Sequence, residues 1–371
     1  MNHDFAAALK TLVDTESPSA DLPAVEECGD RLAELGERIT GIAPERIPLP
    51  GGPSALRWRA GPADAPGRVL LLGHRDTVWP LGTALDRPFT VDNGRATGPG
   101  VFDMKAGLLV GLYALAGLDP HVPVTFLVTG DEEIGSGASW ELIEEEARAA
   151  QAALVLEGAG DNGALKHARK GWSIYTLRFQ GRSAHAGLEP HKGRNALVRM
   201  AGLVAESVRL NVPDRGVTVT PTLASAGQTV NTVPDRAELH LDVRAGTVTD
   251  QERVDDRIRD LAATEGGVDV VVEGGKNRPP MEKHSAAALL ERVTEHAAEL
   301  GQPPPESTAV GGISDANICA ALGVPTLDGL GAVGGGPHAV HEWVDLPATQ
   351  QRIPLVSALV TGLARRPLTR S

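Results

Sequence analysis

Between Pro66 and Glu157, short aliphatic runs alternate with stretches of helical length, and the runs break off into glycine, acids or histidine. Val69 to Leu72 and Val122 to Val128 read as strands buried on both faces, with a helix over Met104 to Leu118 between them. A further strand, Ala152 to Leu156, is reached through a helix at Ser139 to Ala149. Strands that alternate with helices in this way build βαβ units around a largely parallel sheet. Sheets of that kind collect their ligands just beyond the carboxyl ends of the strands. The residues that follow each run are therefore the first place to look for function.

The pattern changes after about Lys170. Trp172 to Phe179 alternates like a half-buried strand, a helix is expected from about Asn195 to Arg209, and alternating strands follow at Val217 to Leu223 and Ala237 to Val243. A helix at about Asp250 to Ala263 and a strand at Val268 to Val272 complete a β-α-β-β-α-β order, the ferredoxin-like split arrangement of a small α+β unit. Beyond Asn277-Arg278-Pro279-Pro280 the chain returns to a helix (Ser285 to Leu300), a strand (Val324 to Leu327) and a last helix (Pro347 to Ala364). With 371 residues, two compact units are expected. The reading is an α/β domain with a mostly parallel central sheet over 1–169 and 279–371, carrying an inserted unit over 170–278.

Three strand ends, one glycine- and proline-rich turn and one late loop supply chemistry. Gly73-His74-Arg75-Asp76 follows the first run, and a carboxylate near an imidazole orients the ring and raises its basicity. Gly98-Pro99-Gly100-Val101-Phe102-Asp103 delivers one carboxylate at a helix start, where capping is the plain alternative. Asp131-Glu132-Glu133 follows a buried strand, and such close acids repel one another unless a cation or proton intervenes. One glutamate can bind metal while its neighbour stays free to carry a proton. Glu157 ends another strand, and Gly334-Gly335-Gly336-Pro337-His338-Ala339-Val340-His341-Glu342 brings imidazole from the C-terminal segment, with His338 and His341 as competing ligands. Imidazole and carboxylate without thiolate suit zinc best, with cobalt or manganese as alternatives.

Bulk properties exclude other classes. A net charge of −13 with no compensating basic stripe repels nucleic acid. The longest apolar run, Leu108 to Leu118, is too short for a bilayer, which needs roughly 20 residues. The start Met1-Asn2-His3-Asp4 lacks the basic stretch of a signal peptide, and the two cysteines, Cys28 and Cys319, form no framework. A soluble cytoplasmic protein is expected. Gly329 to Gly334 fits GxGxxG, but Pro337 stands where a dinucleotide-binding helix would begin, and no GxSxG elbow occurs.

The motif set, in this order along nearly the whole chain, resembles the M20 metallopeptidases, especially their glutamate carboxypeptidase branch. That resemblance implies a zinc-peptidase-like catalytic domain in which His74, Asp103 and Glu157 hold one zinc and Asp103, Glu133 and His338 the other. It selects His338 over His341, because the ligand histidine stands four residues before Glu342-Trp343-Val344. It further implies that Asp76 orients His74 and that Glu132 is the general base. The inserted unit would be a lid and dimerisation domain whose His185 reaches the partner subunit's site and stabilises an oxyanion, with Asn231 and Arg244 binding the substrate carboxylate.

The expected function is hydrolysis of an amide bond beside a free carboxylate in a peptide or acyl amino acid, releasing a C-terminal residue. An N-acyl amino acid deacylase of the acetylornithine, succinyl-diaminopimelate or aminoacylase type would share every metal position. A metal-binding pseudoenzyme is the alternative from another class, and the presence of Glu132 beside all five ligands speaks against it.

Overall fold

The computed structural model describes residues 2–62, 65 and 67–368. Met1 and Pro66, which open two of the stretches read above, lie outside them. The chain divides into two compact units, one formed by 1–168, 283–310 and 314–371, the other by 169–282 with 311–313.

The first unit is built on a six-stranded mixed sheet in the order Glu45–Ile47, Ala55–Ala60, Val124–Thr129, Arg68–His74, Ala150–Val155, Thr326–Leu327. The four strands from Val124–Thr129 onward are parallel, and the two at the other edge are antiparallel. The expected α/β architecture with a mostly parallel sheet is therefore present. Every residue of Arg68–His74, Val124–Thr129 and Ala150–Val155 is buried, as strands covered by helices on both faces must be. Each fully buried Leu or Val in them contributes roughly 1.5–3 kcal/mol relative to exposure. The helix Ala106–Ala116 packs so closely that a Cβ on Gly107 would meet the Leu156 carbonyl oxygen at 2.0 Å. Only glycine allows that approach beside Glu157.

Two differences from the sequence reading have local causes. The last helix is broken into Leu346–Gln350 and Arg352–Arg365. Pro354 has no N–H to donate to the Gln350 carbonyl, so the ladder is interrupted there. A small sheet not foreseen joins Thr90–Asp92, Arg95–Thr97, Trp343–Asp345 and Gly334–Gly335.

In the second unit the elements run strand, helix, strand, strand, helix, strand: Gly171–Gln180, Ala196–Val208, Thr218–Ala226, Arg236–Ala245, Val248–Asp260 and Asp269–Arg278. Its antiparallel sheet has the order Thr218–Ala226, Arg236–Ala245, Gly171–Gln180, Asp269–Arg278. Tyr175, Leu177 and Phe179 alternate inward to meet Leu203 and Ile258 from the helices, and the residues between them face outward. Asn195 and Thr247 cap the two helices through their side chains. Among the described residues no helix is long and apolar enough to cross a membrane.

Candidate metal centre

The parallel strands Arg68–His74, Val124–Thr129 and Ala150–Val155 end on the same edge, which places His74, the acids after Thr129 and Glu157 together. The small sheet brings the remaining two residues. Trp343 pairs with Thr97 and Val344 with Ala96, while Gly334 and Gly335 pair back on Val344 and Trp343. The loop carrying His338 is thus zipped onto the strand that runs directly into Gly98–Asp103. Gly100 turns that segment in the left-handed region (φ +70°), where a Cβ would lie 2.6 Å from Thr77 Cγ2. His338 is itself left-handed (φ +59°), an uncommon conformation for a residue with a side chain.

Among the described residues two groups result, His74 with Asp103 and Glu157, and Asp103 with Glu133 and His338. Within each group the ligating atoms lie within 4.8 Å of one another. His74 Nε2 lies 3.3 Å from Asp103 Oδ1 and 3.4 Å from Glu157 Oε1, yet this buried nitrogen has no well-aligned hydrogen bond. His338 Nε2 lies 3.2 Å from Asp103 Oδ2 and 3.1 Å from Glu133 Oε2. Asp103 is common to both groups. Two imidazole nitrogens and three carboxylates, without thiolate, form a donor set that fits divalent zinc, cobalt or manganese.

The electrostatics point the same way. Burial alone would lower the His74 pKa, but the carboxylates of Asp103, Asp76 and Glu157 outweigh it and hold the imidazole well above its usual value. Hydrogen bonds to Asp103 and Glu133 raise His338 to about 10. Burial works against the Asp103 carboxylate, yet His338 and His74 hold it well below the ordinary range. Burial pushes Glu133 upward despite His338. Burial, followed by the nearby charges of Asp315, Glu157 and Glu133, drives Glu132 well above a normal glutamate, and His74 only partly opposes this. A cluster that draws so strongly on positive charge is suited to cations.

The surrounding residues divide the labour of the acidic triplet. Asp131 accepts N–H bonds from Ala138 and Ser139 and so fixes the turn. Asp76 accepts the backbone N–H groups of Glu132 and Glu133, at 3.2 and 3.1 Å, and the Ser19 hydroxyl at 2.7 Å. Its carboxylate oxygen lies 3.3 Å from His74 Nδ1, but its own carbonyl is closer, at 3.0 Å. Asp76 therefore anchors both the imidazole and the two glutamates. Sequence reasoning missed Ser19, Asp131 in this structural role, and Asp315; only the place of the triplet directly after a buried strand hinted that its polar groups needed partners nearby.

Three further candidates lie in the second unit. His185 is exposed, and its Nδ1 accepts the N–H groups of Gly187 and Leu188, each at 3.1 Å. That leaves Nε2 as the protonated nitrogen. Asn231 is exposed beside it, its carbonyl accepting the Ala186 N–H while Thr232 pairs with His185. Arg244 stacks over Trp172 and is held in a fork by Asp242, with bonds of 2.8 and 2.9 Å.

Residues 70–362 match the model of peptidase family M20/M25/M40. The chain is 29% identical to carboxypeptidase G2 of Pseudomonas sp. (strain RS-16), across 96% of this chain and 88% of that protein. It is 27% identical to succinyl-diaminopimelate desuccinylase of Wolinella succinogenes, across 74% of this chain and 79% of that one. Its fold is similar to the crystal structure of aminopeptidase PepT from Bacillus cereus, with a TM-score of 0.82 at 22% identity, covering 98% of this chain and 99% of that one. Motif order, strand-end geometry and the extent of the family match agree: the chain belongs to peptidase family M20/M25/M40 and is a hydrolase of amide bonds.

Proposed function

We propose that this hydrolase binds two divalent cations, zinc in our reading, and cleaves the amide bond next to a free carboxylate, releasing a C-terminal amino acid as a glutamate carboxypeptidase does. The observation that carries the proposal is the pair of ligand groups sharing Asp103, with Glu132 half-buried beside them and outside both. His74, Asp103 and Glu157 would hold one cation, and Asp103, Glu133 and His338 the other. Bound there, such ions acidify water and polarise the substrate carbonyl.

The chain's own groups supply the remaining steps. Glu132, whose basicity is raised by burial and by the neighbouring carboxylates, takes a proton from the attacking water and passes it to the leaving amide nitrogen. His185 donates its Nε2 proton to the developing oxyanion, a role that the two N–H bonds to Nδ1 support. Asn231 and Arg244 bind the substrate carboxylate, Arg244 by exchanging part of its fork with Asp242.

We read the second unit as a lid through which two copies associate. The helix Ala196–Val208 exposes Leu197, Val198 and Val208 by 42%, 66% and 47%, beside the edge strand Thr218–Ala226. Val198→Asp should convert a dimer to a monomer in analytical ultracentrifugation. A monomeric wild type would remove the basis for His185 acting on a partner's site. Free thiols at Cys28 and Cys319 are consistent with a cytoplasmic location.

A second reading, an N-acyl amino acid deacylase, is favoured by the similarity to the Wolinella desuccinylase. Purified protein should be assayed on C-terminal glutamyl peptides and a panel of N-acyl amino acids. Turnover of small acyl groups alone would favour the deacylase. Glu132→Ala should abolish turnover while cation content by plasma mass spectrometry stays at the wild-type value; loss of both together would refute its role as base.

A further inference from the structure

The loop that presents His338 also carries Glu342, one of the most buried acids in the first unit, and neither candidate cation group found among the described residues includes it. Its carboxylate is saturated by four N–H donors. Oε1 accepts from the backbone of Phe102 at 2.8 Å and of Asp103 at 2.9 Å. Oε2 accepts from the backbone of Gly100 at 2.9 Å and from the Trp79 indole at 3.1 Å. A carboxylate offers about four lone-pair sites, so each is used.

These donors belong to the two other segments that build the centre. Trp79 lies just beyond His74, and Gly100 to Asp103 is the turn that delivers the shared carboxylate. The Glu342 N–H closes its own turn on the Ala339 carbonyl at 3.0 Å, and Ala339 closes on Gly336, so His338 sits within the same short loop. One side chain thus ties together the segments carrying His74, Asp103 and His338. A negative charge placed this close to Asp103 would be repelled by it. The three backbone N–H groups offset that repulsion, and they do so only while the Gly100–Asp103 turn keeps this shape.

We propose that Glu342 is a positioning residue, holding Asp103 and His338 in the geometry both cations require. The inference rests on the two-cation reading above, and its test separates the two. Glu342→Gln keeps the shape of the side chain but turns an amide NH2 toward two N–H donors on one side, which opens the Gly100–Asp103 turn.

Zinc affinity of the full-length, metal-depleted protein would be measured by competition with a chromophoric chelator, alongside far-UV circular dichroism. Glu342→Gln should remain folded and bind zinc about 10- to 100-fold more weakly, the usual cost of losing a group that orients ligands. The absorption of the cobalt-loaded protein should change as well, which a purely structural role would not produce. Wild-type zinc affinity and cobalt spectrum in a folded Glu342→Gln protein would overturn the proposal and leave the two-cation reading standing. Failure of the wild type to bind zinc would overturn both. Should Glu342→Gln not fold, Trp79→Phe removes one donor and leaves the carboxylate: a several-fold weaker affinity supports the proposal, and unchanged affinity overturns it.

Discussion

The strand Arg68–His74 of the first unit is buried at every position, whereas Gly171–Gln180 of the second alternates buried with half-buried or exposed. A strand covered on both faces has no flank on which to display polar groups, so its chemistry is confined to its end, where His74 stands. A strand covered on one face can present side chains along its whole length. The two units therefore handle charge differently. The first gathers imidazoles and carboxylates at one sheet edge, in two groups suited to cations. The second pairs its polar groups locally, as Arg244 with Asp242 and Tyr175 with Asp255.

The largest test of this division compares Asp103 with Arg244. Asp103→Asn alters the one residue common to both ligand groups, and cation content should fall below one per chain. Arg244→Met should leave cation content unchanged and raise KM about 10- to 100-fold, as expected for a lost charged hydrogen bond to substrate. Loss of cations in the Arg244 variant would break the separation of roles.

That separation was legible in the sequence only where strands are long. Runs such as Val69 to Leu72 announce buried strands, and the acids and histidine that follow them mark the sheet edge. His338 could be placed only by resemblance, because the pairings that fix it involve strands of two and three residues, Gly334–Gly335, Trp343–Asp345 and Arg95–Thr97. Segments this short carry no periodicity. Glu342 was visible as a marker beside His338 but not as a hydrogen-bond hub, since its four donors lie about 240 positions or more away in the chain. Asp76 was expected to orient His74, and its grip on the backbone of Glu132 and Glu133 had no sequence signal at all.

Parity along the strand sharpens the comparison at the level of stability. In the first unit Leu70→Ala and Leu71→Ala, neighbours of opposite parity, should each cost about 2–5 kcal/mol, because both side chains are fully buried. In the second unit Leu177→Ala should cost as much, while Ile174→Thr on the outward face should change stability by no more than about 0.5 kcal/mol. Denaturant unfolding of the four variants would measure this. Equal costs at positions 174 and 177 would mean that the outward face is covered in the folded protein.

A further small effect concerns the way the second unit satisfies a buried polar tip, through a carboxylate and a guanidinium of its own chain. The Tyr175 hydroxyl donates to Asp255 Oδ1 at 2.7 Å, and Arg259 pairs with the same carboxylate at 2.9 and 3.1 Å. Burial alone would raise the Asp255 pKa, but the bonds from Arg259 and Tyr175 hold it below the usual value. A carboxyl whose pKa is depressed by folding stabilises the protein above its unfolded pKa, about 3.9, and that stabilisation disappears as pH falls through the folded value. Tyr175→Phe should therefore cost about 1 kcal/mol at pH 7, the net worth of a hydrogen bond, with the ring packing retained. The difference from wild type should begin to shrink as pH falls below the unfolded value of about 3.9 and disappear as it passes the lower folded value. Urea unfolding at pH 7 and pH 3 would test it. A gap of the same size at both values would show that the hydroxyl acts through packing and not through the ionised carboxylate.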